Sequence, residues 1–382
     1  LFPFKEEPVA TTDSTADTTF NPEPLLRSAI RAQQTYLPSR PQALPERLIR
    51  LDMNESPYGP SPKARAALAA FDQTHRYPDF GQTRLREALS AYTGIPAEQI
   101  VAGAGLDDVL TTLCNLVLDP GDELIISEPT FGVYRMLASL HGGVTINAPL
   151  TTDFQLDPDA VLAAITPRSR IVIICTPNNP TGNVLDRASI EQICAGAPCI
   201  VVIDEAYAEF AGASHIPLMA KYPNVMIGRT MSKFAGMAGM RVGYGLFPVS
   251  LVPFLHTATP PFHNVGMASV EAVVASLDDL DYLNGVVTRI VADREALADQ
   301  LRELPGVSPL PSATNFILVR LPVENAEGIV HDMADRGVLV RHFGRPELGI
   351  QDCLRVTVGT TEENEIFLKT LQEVMTSRGL PL

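Results

Sequence analysis

Residues 229–246 read RTMSKFAGMAGMRVGYGL, with Lys233 placed between a hydroxyl residue and a run of small and apolar residues that ends at Arg241. Surface lysines usually keep polar company. Against apolar neighbours an ammonium group gives up its proton readily, because desolvation disfavours the charged form, and the neutral amine is a nucleophile. This residue type in this setting suits imine chemistry with a carbonyl compound. A lysine snorkelling from the rim of a core segment has the same local pattern, so the choice rests on the rest of the chain. Four segments carry side chains of the right kinds: GAGLDD at 103–108, TPNNPTGN at 176–183, DEAYAEF at 204–210 and TMSK at 230–233.

Each of these segments follows a short β-branched run: QIV, RIVIIC, CIVVI and NVMIG. Between the runs lie stretches with helical apolar spacing, such as DDVLTTLCNLVL and ASIEQICAGA. Continuous apolar strands alternating with helices predict an α/β fold with a mostly parallel sheet buried between helix layers. The expected large domain spans 63–260 and opens with helices over PKARAALAAF and QTRLREALSAY. A smaller α+β domain over 261–382 begins with a helical region at 265–303. Residues 1–62 are rich in Pro, Thr and acids and read as a partly disordered arm, with a short helix over 25–34. In open parallel sheets ligands bind beyond the carboxyl ends of the strands, which is where the four segments fall.

Singly, each segment has a plain explanation: GAGLDD as a strand–helix turn, NNPTG as turn chemistry, DEAY as a helix cap. Together they gather an amide, a carboxylate, a phenol, an amine and a guanidinium, a set that fits pyridoxal 5'-phosphate (PLP). Lys233 would hold the aldehyde as an imine, and Asp204 would keep the pyridine nitrogen protonated. Asn179 and Tyr207 would donate to the phenolate oxygen. The phosphate would meet Arg241, the hydroxyls of Thr230 and Ser232, and the backbone N–H groups of Gly105, Leu106 and Asp107 at a helix N-terminus. Phe131, in EPTFGVY, either covers the ring face or belongs to the core.

Composition excludes several other classes. The 382 residues carry a formal net charge of −15, with 44 acids against 29 bases, which excludes a nucleic-acid surface. No apolar run is long enough to cross a membrane. The five cysteines lack zinc-type spacing and sit mostly in apolar segments, and the seven histidines are scattered, so no metal is expected. Unpaired cysteines point to the cytoplasm. The chain opens at Leu1, which leaves processed export open.

By LDMNESPYGPSP, RYPD, GAGLDD, PTFGVY, TPNNPTG, DEAYAEF, TMSKFAGMAGMRVGY and CLRVTVGTTEEN, in order over 51–365, the chain resembles the fold-type-I PLP-dependent aminotransferases. Within them it resembles the histidinol-phosphate group. The resemblance implies that Lys233 is the Schiff-base residue and Arg241 the phosphate-binding arginine. It further implies that Tyr77 reaches the cofactor phosphate of a neighbouring subunit, making a homodimer with shared sites. Arg355 would anchor the substrate, Arg341 would help to hold its phosphate, and the arm near Asn54 and Tyr58 would cover the site. The implied substrates are a small amino donor, histidinol phosphate or a related amino acid, and 2-oxoglutarate as the acceptor. The pattern departs from the family at Ser56 in NESP, at SKFAGMAG, and at Phe131 where tyrosine is common. These departures keep two PLP enzymes as rivals: an aromatic amino acid aminotransferase and a decarboxylase or lyase of a phosphorylated amino acid. A non-catalytic PLP-binding module would carry a DNA-binding domain in place of the acidic arm. A nicotinamide oxidoreductase lacks the third glycine of its fingerprint.

Overall fold

The computed structural model describes residues 21–31, 48–258 and 265–381. Most of the arm, residues 32–34 of the expected helix and the expected boundary at 260/261 lie outside them. In place of the first half of that helix there are a 3-10 turn at Glu23–Leu25 and a single helical turn at Ser28–Arg31.

A seven-stranded sheet forms the centre, in the order Ile100–Gly103, Gly243–Leu246, Val225–Thr230, Ile200–Asp204, Ser169–Cys175, Glu123–Ile126, Val144–Asn147. Gly243–Leu246 runs antiparallel to both neighbours, and the other pairings are parallel. The strand Ser169–Cys175 shows why its residues 171–175 are continuously apolar. Ile171, Ile173 and Cys175 enter a core with Leu110 and Leu113 of the helix Leu106–Val117, while Val172 and Ile174 enter another with Ile190 and Ile193 of the helix Arg187–Gly196. Alternate residues face opposite layers, and both layers are dry.

A second, four-stranded antiparallel sheet has the order Arg341–His342, Cys353–Thr357, Phe316–Arg320, Ser308–Pro309. Helices Leu280–Arg302, Glu327–Asp335 and Thr361–Ser377 accompany it, the last opened by a capping box between Thr360 and Glu363. Within 265–303 the structure has two helices, Met267–Leu277 and Leu280–Arg302, rather than one. The segment before the large sheet is tied to this C-terminal part. Ile49–Arg50 pairs in parallel with Val338–Leu339, and the Thr357 N–H donates to the Leu51 carbonyl at 2.8 Å. Residues 52–55 are thereby led across the carboxyl ends of the large sheet.

Among the described residues no helix is long and apolar enough to cross a membrane, and no His/Cys/Asp/Glu group is placed to hold a metal ion. All five cysteines are free thiols.

Candidate active site

The neighbouring parallel strands Ser169–Cys175, Ile200–Asp204 and Val225–Thr230 end side by side, with Cys175 opposite Asp204 and Asp204 opposite Gly228. Beyond them lies a cavity of about 520 Å³. It gathers Leu106, Asp107, Phe131, Asn179, Asp204, Tyr207, Thr230, Ser232, Lys233, Arg241 and Arg355 from segments far apart in sequence.

Asp204 forms the floor. It is 3% exposed, its Oδ2 accepts the Tyr134 hydroxyl at 2.6 Å and its Oδ1 accepts the Ala206 N–H at 3.0 Å. Burial pushes its pKa up to about 6 even though both hydrogen bonds favour the anion. A cation placed against this carboxylate would relieve that cost.

Lys233 stands opposite and donates to the Met53 carbonyl at 3.0 Å. Burial, and then the guanidinium of Arg355, lower its pKa to about 8. Close to neutrality, part of the population therefore holds a free amine lone pair, as nucleophilic attack on a carbonyl requires.

At one end of the cavity is an anion cradle. The helix Leu106–Val117 begins there after Gly105, directing the N–H groups of its first turn into the site. Arg241, at φ +53°, turns back over this terminus and donates to the carbonyls of Ala238 at 3.2 Å and Ala104 at 3.4 Å. Gly105 is required here twice over. Its φ is +96°, and a Cβ at this position would lie 2.4 Å from Arg241 Nη2. The Thr230 hydroxyl donates to Ser232 Oγ at 3.0 Å, both residues being buried. Burial raises the pKa of Asp107, opposed by Arg241 and Lys233.

At the other end Arg355 is fixed on several sides. Nη1 donates to Asn179 Oδ1 and Nη2 to the Asp52 carbonyl, each at 2.6 Å, and the guanidinium lies 5.2 Å from the Phe316 ring centroid and 5.8 Å from that of Phe343. Tyr207, buried edge-on against Phe316, accepts from Asn54 Nδ2 at 2.8 Å. Burial holds the Tyr207 phenol above its ordinary pKa, so it remains a donor at neutral pH.

Residues 46–371 match the family model of aminotransferase class I and II. The chain belongs to that family. Among the relatives of this aminotransferase, a histidinol-phosphate aminotransferase of Roseiflexus castenholzii is 44% identical, over 92% of this chain and 98% of its own. One from Dehalococcoides mccartyi is 40% identical, over 86% of this chain and 90% of its own. The crystal structure of histidinol-phosphate aminotransferase from Sinorhizobium meliloti in complex with pyridoxal-5'-phosphate superposes with a TM-score of 0.84 at 28% identity, covering 95% of this chain and 99% of that one. The fold is that of fold-type-I aminotransferases, as expected.

Not every expected residue of this aminotransferase lines the cavity. Tyr77 is 81% exposed on the surface. Tyr58 donates its hydroxyl to Asp293 Oδ2 at 2.9 Å, with the Arg289 guanidinium 4.6 Å from its ring centroid. Arg341 lies one strand away from Arg355. Glu347, six residues after Arg341, pairs with Arg345 at 2.8 Å. Tyr134, Cys175 and Glu55 line the cavity without having been singled out in the sequence. Tyr134, in the first turn of the helix Val133–Leu140, lies three residues after Phe131, and the two rings meet edge to face at 5.5 Å.

Proposed function

We propose that this aminotransferase moves an amino group between histidinol phosphate and 2-oxoglutarate, using pyridoxal 5'-phosphate held by the residues of the cavity. The donor set suits that group. A buried carboxylate would meet the pyridinium N–H, a lysine of lowered pKa the aldehyde, and an arginine, two hydroxyls and a helix N-terminus the phosphate. When bound, the cofactor supplies an electron-withdrawing ring that stabilises negative charge on the substrate's amine-bearing carbon. The chain's own residues do the rest. Tyr134 and the Ala206 N–H fix the Asp204 carboxylate and favour its anionic form, as pairing with a ring N–H would require. Asn179 and Tyr207 would donate to the cofactor's phenolic oxygen, and Phe131, which lines the cavity, would pack against its ring. The Lys233 amine, with its lowered pKa, would serve as the group that takes up and returns a proton at the substrate carbon.

The observation that carries the substrate reading is the register of two arginines. Arg341 and Arg355 are direct partners across antiparallel strands, so both side chains leave the same face of the sheet. Two guanidinium groups on one face suit a dianionic phosphate ester, whereas a lone carboxylate needs one bidentate partner. The same point weighs against an aromatic amino acid as the main substrate. The names of the relatives over nearly the full chain point the same way. Exposed Tyr77, with Phe80 59% exposed nearby, suits a homodimer in which each subunit completes the other's phosphate site. Five free thiols suit a reducing compartment such as the cytoplasm.

Comparing Arg341→Ala on two amino donors tests the reading. Losing one charged hydrogen bond, about 1.5–3 kcal/mol, lowers kcat/KM for histidinol phosphate about 10- to 150-fold and leaves an aromatic amino acid nearly untouched. Equal losses on both donors, or a wild type that prefers the aromatic amino acid, would turn the assignment to an aromatic aminotransferase.

A further inference from the structure

Three acids line the cavity among the described residues: Glu55, Asp107 and Asp204. Two are accounted for by the cofactor. Asp204 is bound beneath the ring position by Tyr134 and Ala206, and Asp107 opens the helix at the phosphate end beside Arg241. Glu55 belongs to the other side of the site. The segment that bears it crosses the substrate space residue by residue. The Asp52 carbonyl accepts from Arg355, the Met53 carbonyl accepts from Lys233, and Asn54 donates to Tyr207. The next side chain along this path is the carboxylate of Glu55. Its ion pair with Arg50 is long, 3.7 Å, with side chains 40% and 54% exposed respectively, a kind of contact that holds a carboxylate weakly.

A substrate with its amine at Lys233 and its anion at Arg355 has one group left to place. On the reading of histidinol phosphate as substrate, on which this step rests, that group is an imidazole, whose ring N–H is a donor. We propose that Glu55 is the specificity residue that accepts this N–H, making a third contact that tells an imidazole from a plain aromatic ring. A carboxylate left facing a phenyl ring would lose hydration without gaining a partner, so the same residue favours one ring and disfavours the other.

The test uses two ligands that lack the amine and so cannot react, 3-(imidazol-4-yl)propyl phosphate and 3-phenylpropyl phosphate, titrated calorimetrically into the cofactor-loaded enzyme. Wild type should bind the imidazole ligand about tenfold more tightly or better. Glu55→Ala should abolish that preference, and Glu55→Gln, which keeps the shape and a neutral acceptor, should retain part of it. An alanine variant that keeps the preference, a wild type without one, or equal weakening of both ligands overturns the role of Glu55. Amino transfer from histidinol phosphate to 2-oxoglutarate by the wild type is measured separately. Its absence overturns the substrate reading and this inference together, whereas transfer without an imidazole preference overturns only the inference.

Discussion

Replacing Asp204 by Asn should stabilise the cofactor-free protein and destabilise the loaded one. Burial raises the Asp204 carboxyl from its ordinary 3.8 to about 6. The folded chain therefore binds that proton more tightly than the unfolded chain, and stability is lost as pH climbs from about 4 through about 6, at about 1.4 kcal/mol per pH unit. Near pH 8 the accumulated cost is about 3 kcal/mol, against about 1 at pH 4.5. Asn carries no charge at either pH and so escapes the cost. With the cofactor bound, a pyridinium nitrogen beside the carboxylate turns the burden into a charge-assisted pair, and the order of the two proteins reverses. The assay is urea unfolding of both proteins, with and without cofactor, at the two pH values. Groups other than Asp204 cancel in the difference between variant and wild type. For the cofactor-free pair, that difference should widen by about 2 kcal/mol between about pH 4.5 and about pH 8. A constant gap across this window would refute the view that Asp204 is a strained, buried anion awaiting a cation.

Gly105→Ala forces a Cβ to within 2.4 Å of Arg241 Nη2 at a residue with φ +96°, so cofactor affinity in a reconstitution titration should fall about 5- to 150-fold, by about the 1–3 kcal/mol of a strained backbone position. Unchanged affinity would separate Arg241 from the phosphate site. Glu205 is 1% exposed and accepts from Arg229 Nη2 at 2.7 Å, so Glu205→Gln leaves the buried guanidinium with Glu209 at 3.4 Å as its anionic partner, beside the Ser214 hydroxyl at 2.8 Å, and should cost about 3 kcal/mol in unfolding free energy. An unaltered urea midpoint would contradict that. If Tyr77 serves the neighbouring subunit, mixing inactive Lys233→Ala and Tyr77→Ala subunits should restore about a quarter of wild-type activity, since half the dimers are hybrids with one intact site. No restoration would place Tyr77 in its own subunit's site or outside any site.

What the sequence made legible follows from how local each cause is. Strands such as RIVIIC and CIVVI were readable because both faces are buried over an unbroken apolar run, 171–175 in the first and 199–203 in the second. Gly243–Leu246 was not recognised as a strand. Its Gly243 is present because a Cβ there would lie 2.1 Å from the Leu106 backbone nitrogen, a constraint imposed by a helix more than a hundred residues away. The two-residue strand Ile49–Arg50 exists through its pairing with Val338–Leu339, and nothing in its own composition announces it. At the site, residues with one evident chemistry were readable: Lys233, Asp204, Asn179 and Arg241 meet around one cavity. Tyr134 was hidden as an apolar-face residue of the helix Val133–Leu140, since its function depends on a single hydroxyl aimed at a strand end. Tyr58 shows the opposite case, a residue that the family resemblance assigned to cover the site but whose hydroxyl in this chain is bonded to Asp293.

The central claim is that Lys233 is the amine that holds the cofactor. Reducing the cofactor-loaded protein with borohydride and mapping the labelled peptide tests it most directly. The label should sit on Lys233, should be absent from Lys233→Ala, and in reconstitution should form faster as pH rises through about 8, where the amine loses its proton. A label on any other lysine, or none on a protein that still transfers amino groups, would contradict the account.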